Sequence, residues 1–140
     1  MEMLSPEIVK EIVSDLECGL RVYLHRKTLE RLSVPTEELM AFDDGTVAEE
    51  LKRVQRQKKQ FILFEPMSSR DAFQMMEAFM ETVPPGRIRG QLADALEQRK
   101  PFARFREVVD NAGSLRERWF EFRREQYTEY VKEHWTNTSK

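Results

Sequence analysis

Phe61-Ile62-Leu63-Phe64-Glu65-Pro66-Met67-Ser68-Ser69-Arg70-Asp71-Ala72-Phe73 decides the fold, because here the apolar pattern changes from that of a strand to that of a helix. Phe61 to Phe64 is a short unbroken apolar run, aromatic and aliphatic, closed by Pro66, which reads as a strand. Beyond it the hydroxyl of Ser69 can cap a helix, and Phe73, Met76, Phe79, Met80 and Val83 follow at spacings of three and four. Pro84-Pro85-Gly86 ends that helix.

Downstream the helical period persists. Ile88, Leu92, Ala95 and Leu96 mark a second helix, and Pro101 opens a third in which Phe102, Phe105, Val108 and Val109 face inward before Gly113 stops it. Leu115, Trp119, Phe122, Tyr130 and Val131, widened by Phe120 and Tyr127, predict a last helix of about five turns. Residues 136–140 read as a disordered tail.

Upstream of Phe61, a charged segment whose apolar positions are Val47, Leu51 and Val54 predicts a thinly striped surface helix, preceded by a loop at Ala41-Phe42-Asp43-Asp44-Gly45. Before that the period is two. Leu20, Val22 and Leu24 alternate with Arg21, Tyr23 and His25, and Leu32 and Val34 repeat the alternation until Pro35, which makes a β-hairpin. Ser5-Pro6-Glu7 opens an N-terminal helix striped by Ile8, Val9, Ile12, Val13 and Leu16 and stopped by Gly19. The expected fold is α+β: an N-terminal helix, a small three-stranded antiparallel sheet, then four C-terminal helices packed as a helical array. Residues 1–135 form a single domain, with helix, sheet and surface helix in 1–66 and the helical half in 67–135.

A chain of 140 residues can bury a core without disulfide or metal staples. Nine Phe, seven Met and two Trp supply that core, although 34% of the residues are charged. The net charge of −2 gives no global attraction to nucleic acid or anionic lipid, so such binding requires a local patch. With one cysteine no internal disulfide forms, the N-terminus lacks the basic and apolar regions of a signal peptide, and no apolar run approaches a membrane span; these point to the cytoplasm and away from membranes.

The Phe61–Pro66 strand, the Ser68-Ser69-Arg70-Asp71-Ala72-Phe73 and Met76-Glu77-Ala78-Phe79 segments, Leu92-Ala93-Asp94-Ala95-Leu96, Lys100-Pro101-Phe102-Ala103-Arg104-Phe105-Arg106 and Trp119-Phe120-Glu121-Phe122-Arg123 occur in an order that resembles uncharacterised protein family 0158, a bacterial family. The Tyr23-Leu24 strand is similar to that family's as well. The chain departs from the family's pattern at His25-Arg26-Lys27-Thr28, where an acidic residue or Asn and a turn Gly are usual, and at Ala78, where Asp is common. The resemblance implies a fold and no activity.

Chemistry-bearing residues are sparse. Cys18, His25 and His134 lack metal-ligand spacing, and no Gly-rich phosphate loop is present, so neither a metal site nor a cofactor is expected. Cys18 at a helix C-terminus reads as a buried structural thiol, and His25 as a solvated or hydrogen-bonded side chain. Glu77 and Glu81 share a helix face beside Met76 and Met80; they read first as a plain surface pair, with the alternative that burial raises a carboxyl toward general-acid range. Met75, Met76 and Met80 read as flexible core filling. Arg99, Lys100, Arg104 and Arg106 surround the Phe102 and Phe105 stripe, and Arg123 and Arg124 on the last helix can join them in an anion- or partner-binding surface; with Glu107, Asp110, Glu117, Glu121 and Glu125 interleaved, a solvated face tied up in i to i+4 pairs is the competing reading.

The function expected from these features is a non-catalytic binding or adaptor module acting through protein contacts, as monomer or homodimer. The alternatives are sequence-independent nucleic-acid binding through the basic C-terminal helices, and an enzyme using buried carboxylates.

Overall fold

The computed structural model describes residues 3–35 and 45–138. Along the chain run α1 (Pro6–Glu17), β1 (Arg21–His25), β2 (Arg31–Val34), α2 (Thr46–Arg56), a 3-10 turn (Lys58–Gln60), β3 (Phe61–Phe64), α3 (Ser69–Thr82), α4 (Arg87–Glu97), α5 (Pro101–Asp110) and α6 (Leu115–Thr138). The α+β class read from the sequence is the class observed. The loop expected at residues 41–44 lies outside the described residues. The chain divides into two compact units, one of Met1–Pro66 with Tyr127–Lys140 and one of Met67–Gln126.

In the first unit, the hydroxyl of Ser5 accepts from the backbone N–H of Ile8 at 3.3 Å, and Pro6 occupies the first turn, so α1 begins where the residues required. Its stripe of Val9, Ile12, Val13 and Leu16 is buried. The sheet has the order β2-β1-β3 and is antiparallel throughout. Val22 pairs with Phe64 and Leu24 with Ile62, so one face is apolar and buried. On β2 the register sets Leu32 opposite Tyr23 and Val34 opposite Arg21, which puts both on the other face from Val22 and Leu24. Val34 and Phe61 are buried there, so neither face of the sheet is wholly open to water. Opposite Val22 and Leu24, β2 instead presents Ser33 and Arg31, which bind Asp15 and Glu11 of α1.

The hairpin turn is built around His25. Its Nδ1 accepts from the backbone N–H groups of Lys27 and Thr28, both at 3.1 Å, so Nε2 carries the hydrogen and donates to Oε1 of Gln60 at 3.1 Å. Leu29 closes the turn at φ 61°, a left-handed conformation usually given to glycine.

In the second unit, α3 is capped by Ser68 rather than the expected Ser69: the Ser68 hydroxyl accepts from the N–H of Asp71 at 3.1 Å. Either serine has the right chemistry, and because the backbone is extended at Ser68 and helical from Ser69, the first is the cap. Phe79 is the hub of the core, with ring centroids at 5.1 Å from Trp119, 5.3 Å from Phe122 and 6.3 Å from Phe105. Most of these contacts are edge-to-face, the arrangement favoured by the ring quadrupoles. Met75 and Met76 are buried in the same cluster and Met80 packs against it, in keeping with core filling.

The last helix has 24 residues, about 36 Å and nearly seven turns, against the five expected. Beyond Val131 the periodic stripe continues through Trp135, which is buried, and the hydroxyls of Thr136 and Thr138 donate back to the carbonyls of Lys132 and His134. Thr136 to Thr138, read from the sequence as tail, thus complete the final turn.

Candidate functional site

Between α4 and α5 of the second unit lies a groove of about 970 Å³. Its walls follow from helical spacing. Along α4 the lining residues Arg87, Ile88, Gln91, Asp94, Ala95 and Gln98 recur at three and four, as do Arg104, Glu107, Val108, Asn111 and Ala112 along and just beyond α5. Val83, Pro84 and Gly86 close one end. The two prolines stop α3 with Val83 already extended, which frees the next helix to start in a new direction. At the other end Lys100, left-handed at φ 55°, lets the chain reverse into Pro101 and α5.

The groove is apolar along Ile88, Ala95, Val108 and Ala112 and charged along Arg87, Asp94, Arg104 and Glu107. Among the described residues none of these four charges makes an ion pair. Ile88, expected to face the core with Leu92, is 37% exposed, whereas Leu92 is fully buried. The reason is angular: Leu92 and Leu96 share a face with the core, while Ile88 lies with Gln91 and Ala95 on the groove side. Ile88 is the one residue in the apolar reading of α4 that finds no cover.

Of the basic residues singled out from the sequence, Arg104 lines the groove and is exposed. Arg106, two residues on, lies on the other side of the buried Phe105 and is 3.9 Å from Asp110. Arg116 also reaches Asp110, at 3.2 Å, and stacks on Phe120. Arg99 and Lys100 are exposed in the link between α4 and α5; Arg123 is half-buried and Arg124 exposed on α6. Arg104 thus faces the groove, whereas Arg106 sits beside Asp110.

Glu77 and Glu81 are both exposed, so the burial that would have tuned a catalytic carboxyl is missing. The core face of α3 is taken by Met76, Phe79 and Val83, which turns both carboxylates to solvent. Cys18 is exposed, contrary to the buried thiol expected. Leu16 is the last residue of the α1 stripe, and two positions further the helix points away from the core. His134 donates from Nε2 to the carbonyl of Leu63 and sets its ring edge-on to Phe64, a structural role. No group of three His, Cys, Asp or Glu able to hold a metal occurs among the described residues, and no helix among them is long and apolar enough to cross a membrane.

Sequence reasoning missed Ile88, Gln91, Asp94 and Glu107 as lining residues. Their signal was present as a second, weaker stripe on α4 and α5, offset from the core stripe. Comparison with family models returns uncharacterised protein family UPF0158 over residues 37–139. Comparison with curated proteins and with solved structures returns no match.

Proposed function

This chain belongs to the uncharacterised protein family UPF0158, and on that premise we propose that it is a non-catalytic binding module whose α4–α5 groove receives an amphipathic helix of a partner protein. The carrying observation is Ile88, an exposed branched side chain at the floor of a groove rimmed by unpaired charges of both signs. Two helices presenting rows at i, i+3, i+4 and i+7 form a seat for the matching row of a third. Ala95 and Ala112 keep that seat shallow enough for close approach. A partner helix of about three turns would span α4, and Arg87, Asp94, Arg104 and Glu107 along the groove would select its charge pattern. The lone, exposed Cys18 supports placing this module in the reducing cytoplasm.

The test is site-specific photo-crosslinking from Gln91 in the native cell, with and without Ile88→Asp. Peptide mapping of the adduct should fall on the apolar face of a helix in one protein, and Ile88→Asp should abolish it. Recovery of the same adduct from the Ile88→Asp protein would refute the groove as the docking site.

A further inference from the structure

The first unit carries a second surface that the sequence did not announce. Two basic stretches far apart in the chain, His25-Arg26-Lys27-Thr28 and Arg56-Gln57-Lys58-Lys59-Gln60, are stapled together at one end of the sheet. The backbone N–H of Arg26 donates to the carbonyl of Gln60 at 2.8 Å, and its Nε donates to the carbonyl of Lys59 at 3.0 Å. His25 binds the side chain of Gln60 at 3.1 Å, and a further guanidinium nitrogen of Arg26 donates to the carbonyl of Thr138. Arg26 is therefore spent on holding the two stretches together, while Lys27, Arg56, Lys58 and Lys59 remain exposed around it.

Neither stretch contains an acidic residue. The nearest along the hairpin, Glu30, is held by Arg53 at 2.7 Å, and among the described residues Lys27, Arg56, Lys58 and Lys59 make no ion pair. This differs from the last helix, where acids alternate with the arginines. We propose that this end of the sheet is a binding site for the phosphate backbone of nucleic acid, with Lys27, Arg56, Lys58 and Lys59 as the phosphate contacts and Arg26 as the residue that positions them. A membrane surface fits less well, because among the described residues the exposed large apolar side chains are Met3 and Ile88, and the site contains neither. Four phosphate contacts set the expected salt response: log K should fall with log salt at a slope of about −3 for a single strand.

The experiment is fluorescence anisotropy of labelled oligo-dT and oligo-U of about 20 nucleotides, with duplex DNA beside them, from about 20 mM to about 300 mM NaCl. Lys27→Gln with Lys58→Gln and Lys59→Gln should weaken binding by about tenfold or more near 50 mM salt and flatten the slope to roughly −1. A control replacing Arg99, Arg104, Arg106 and Arg124 by Gln should stay within about twofold of the parent. Because all these positions are exposed, circular dichroism should show every variant folded. No binding of any oligonucleotide at about 20 mM salt, equal loss in the control, or binding only to phosphatidylserine vesicles would overturn the assignment. The crosslinking outcome at Gln91 has no bearing on this result, so the two readings stand or fall separately.

Discussion

His134 lies 2.7 Å through its Nε2 from the carbonyl oxygen of Leu63, and that hydrogen bond closes the outer edge of the sheet. Arg26 pairs its N–H with Gln60, so Leu24 with Ile62 and Val22 with Phe64 are the bonded pairs, and the backbone groups of Leu63 and Glu65 point away from β1. Tyr130, one helical turn before His134, donates to the carbonyl of Glu65 at 3.0 Å. An edge strand that would otherwise offer itself to another chain is thus capped by side chains of α6.

Removing that cap should be visible in stability. His134→Ala should cost about 1–3 kcal/mol, because the Leu63 carbonyl loses its partner in a part-buried setting. Urea denaturation followed by far-UV circular dichroism measures it; a midpoint indistinguishable from the parent would show that water replaces the histidine at no cost.

The aromatic hub makes a sharper prediction. Phe79 is 1% exposed and in ring contact with Phe105, Trp119 and Phe122, so Phe79→Ala should destabilise by about 3–5 kcal/mol. The fluorescence of Trp119 should report the loss in equilibrium unfolding. A change below about 1 kcal/mol would mean that the surrounding rings collapse into the space, against the close packing described.

Lys100 offers a gain. It is exposed and left-handed, a conformation that costs a residue with a Cβ about 1–2 kcal/mol and glycine almost nothing. After the entropy that glycine adds to the unfolded chain, Lys100→Gly should stabilise by roughly 0.5–1 kcal/mol. A lowered melting temperature would indicate that the lysine side chain holds the link in place.

Glu30 predicts a pH response. The hydrogen bond from Arg53, aided by its charge, holds the Glu30 carboxyl below its ordinary value of 4.5. The folded state therefore binds this proton less readily than the unfolded state, so the stabilisation is complete above that ordinary value and is lost as pH falls through the lowered one. The urea midpoint of the parent should drop more steeply than that of Glu30→Gln between about pH 5 and pH 3. Parallel profiles would dissociate the pair from stability.

Elements with strong periodicity were legible from residues alone: the α1 stripe, the Phe61 to Phe64 strand and the four helices after it. What was not legible depended on choices between chemically equivalent residues or on register. Ser68 and Ser69 cap equally well on paper. Leu32 and Val34 change faces according to a pairing that the alternation cannot reveal. Trp135 was passed over because the apolar stripe of α6 thins before it. The groove escaped notice because Ile88 looks like any other apolar residue at helical spacing, and only the angle between Leu92 and the core shows it uncovered. The basic end of the sheet was hidden more deeply, since Arg26 and Lys59 become neighbours only through the pairing of β1 with β3.

One helix belongs to both compact units, its first half to the second and its last half to the first. During synthesis the sheet and α1 therefore leave the ribosome without Val131 and Trp135, and wait while the intervening sixty residues are translated, about 3–12 s at ordinary elongation rates. The middle of the chain has all its own core residues before the beginning does. A chain released after Gln126 should hold the whole helical body and all three strands, with the β3 edge left uncovered and open to chaperones.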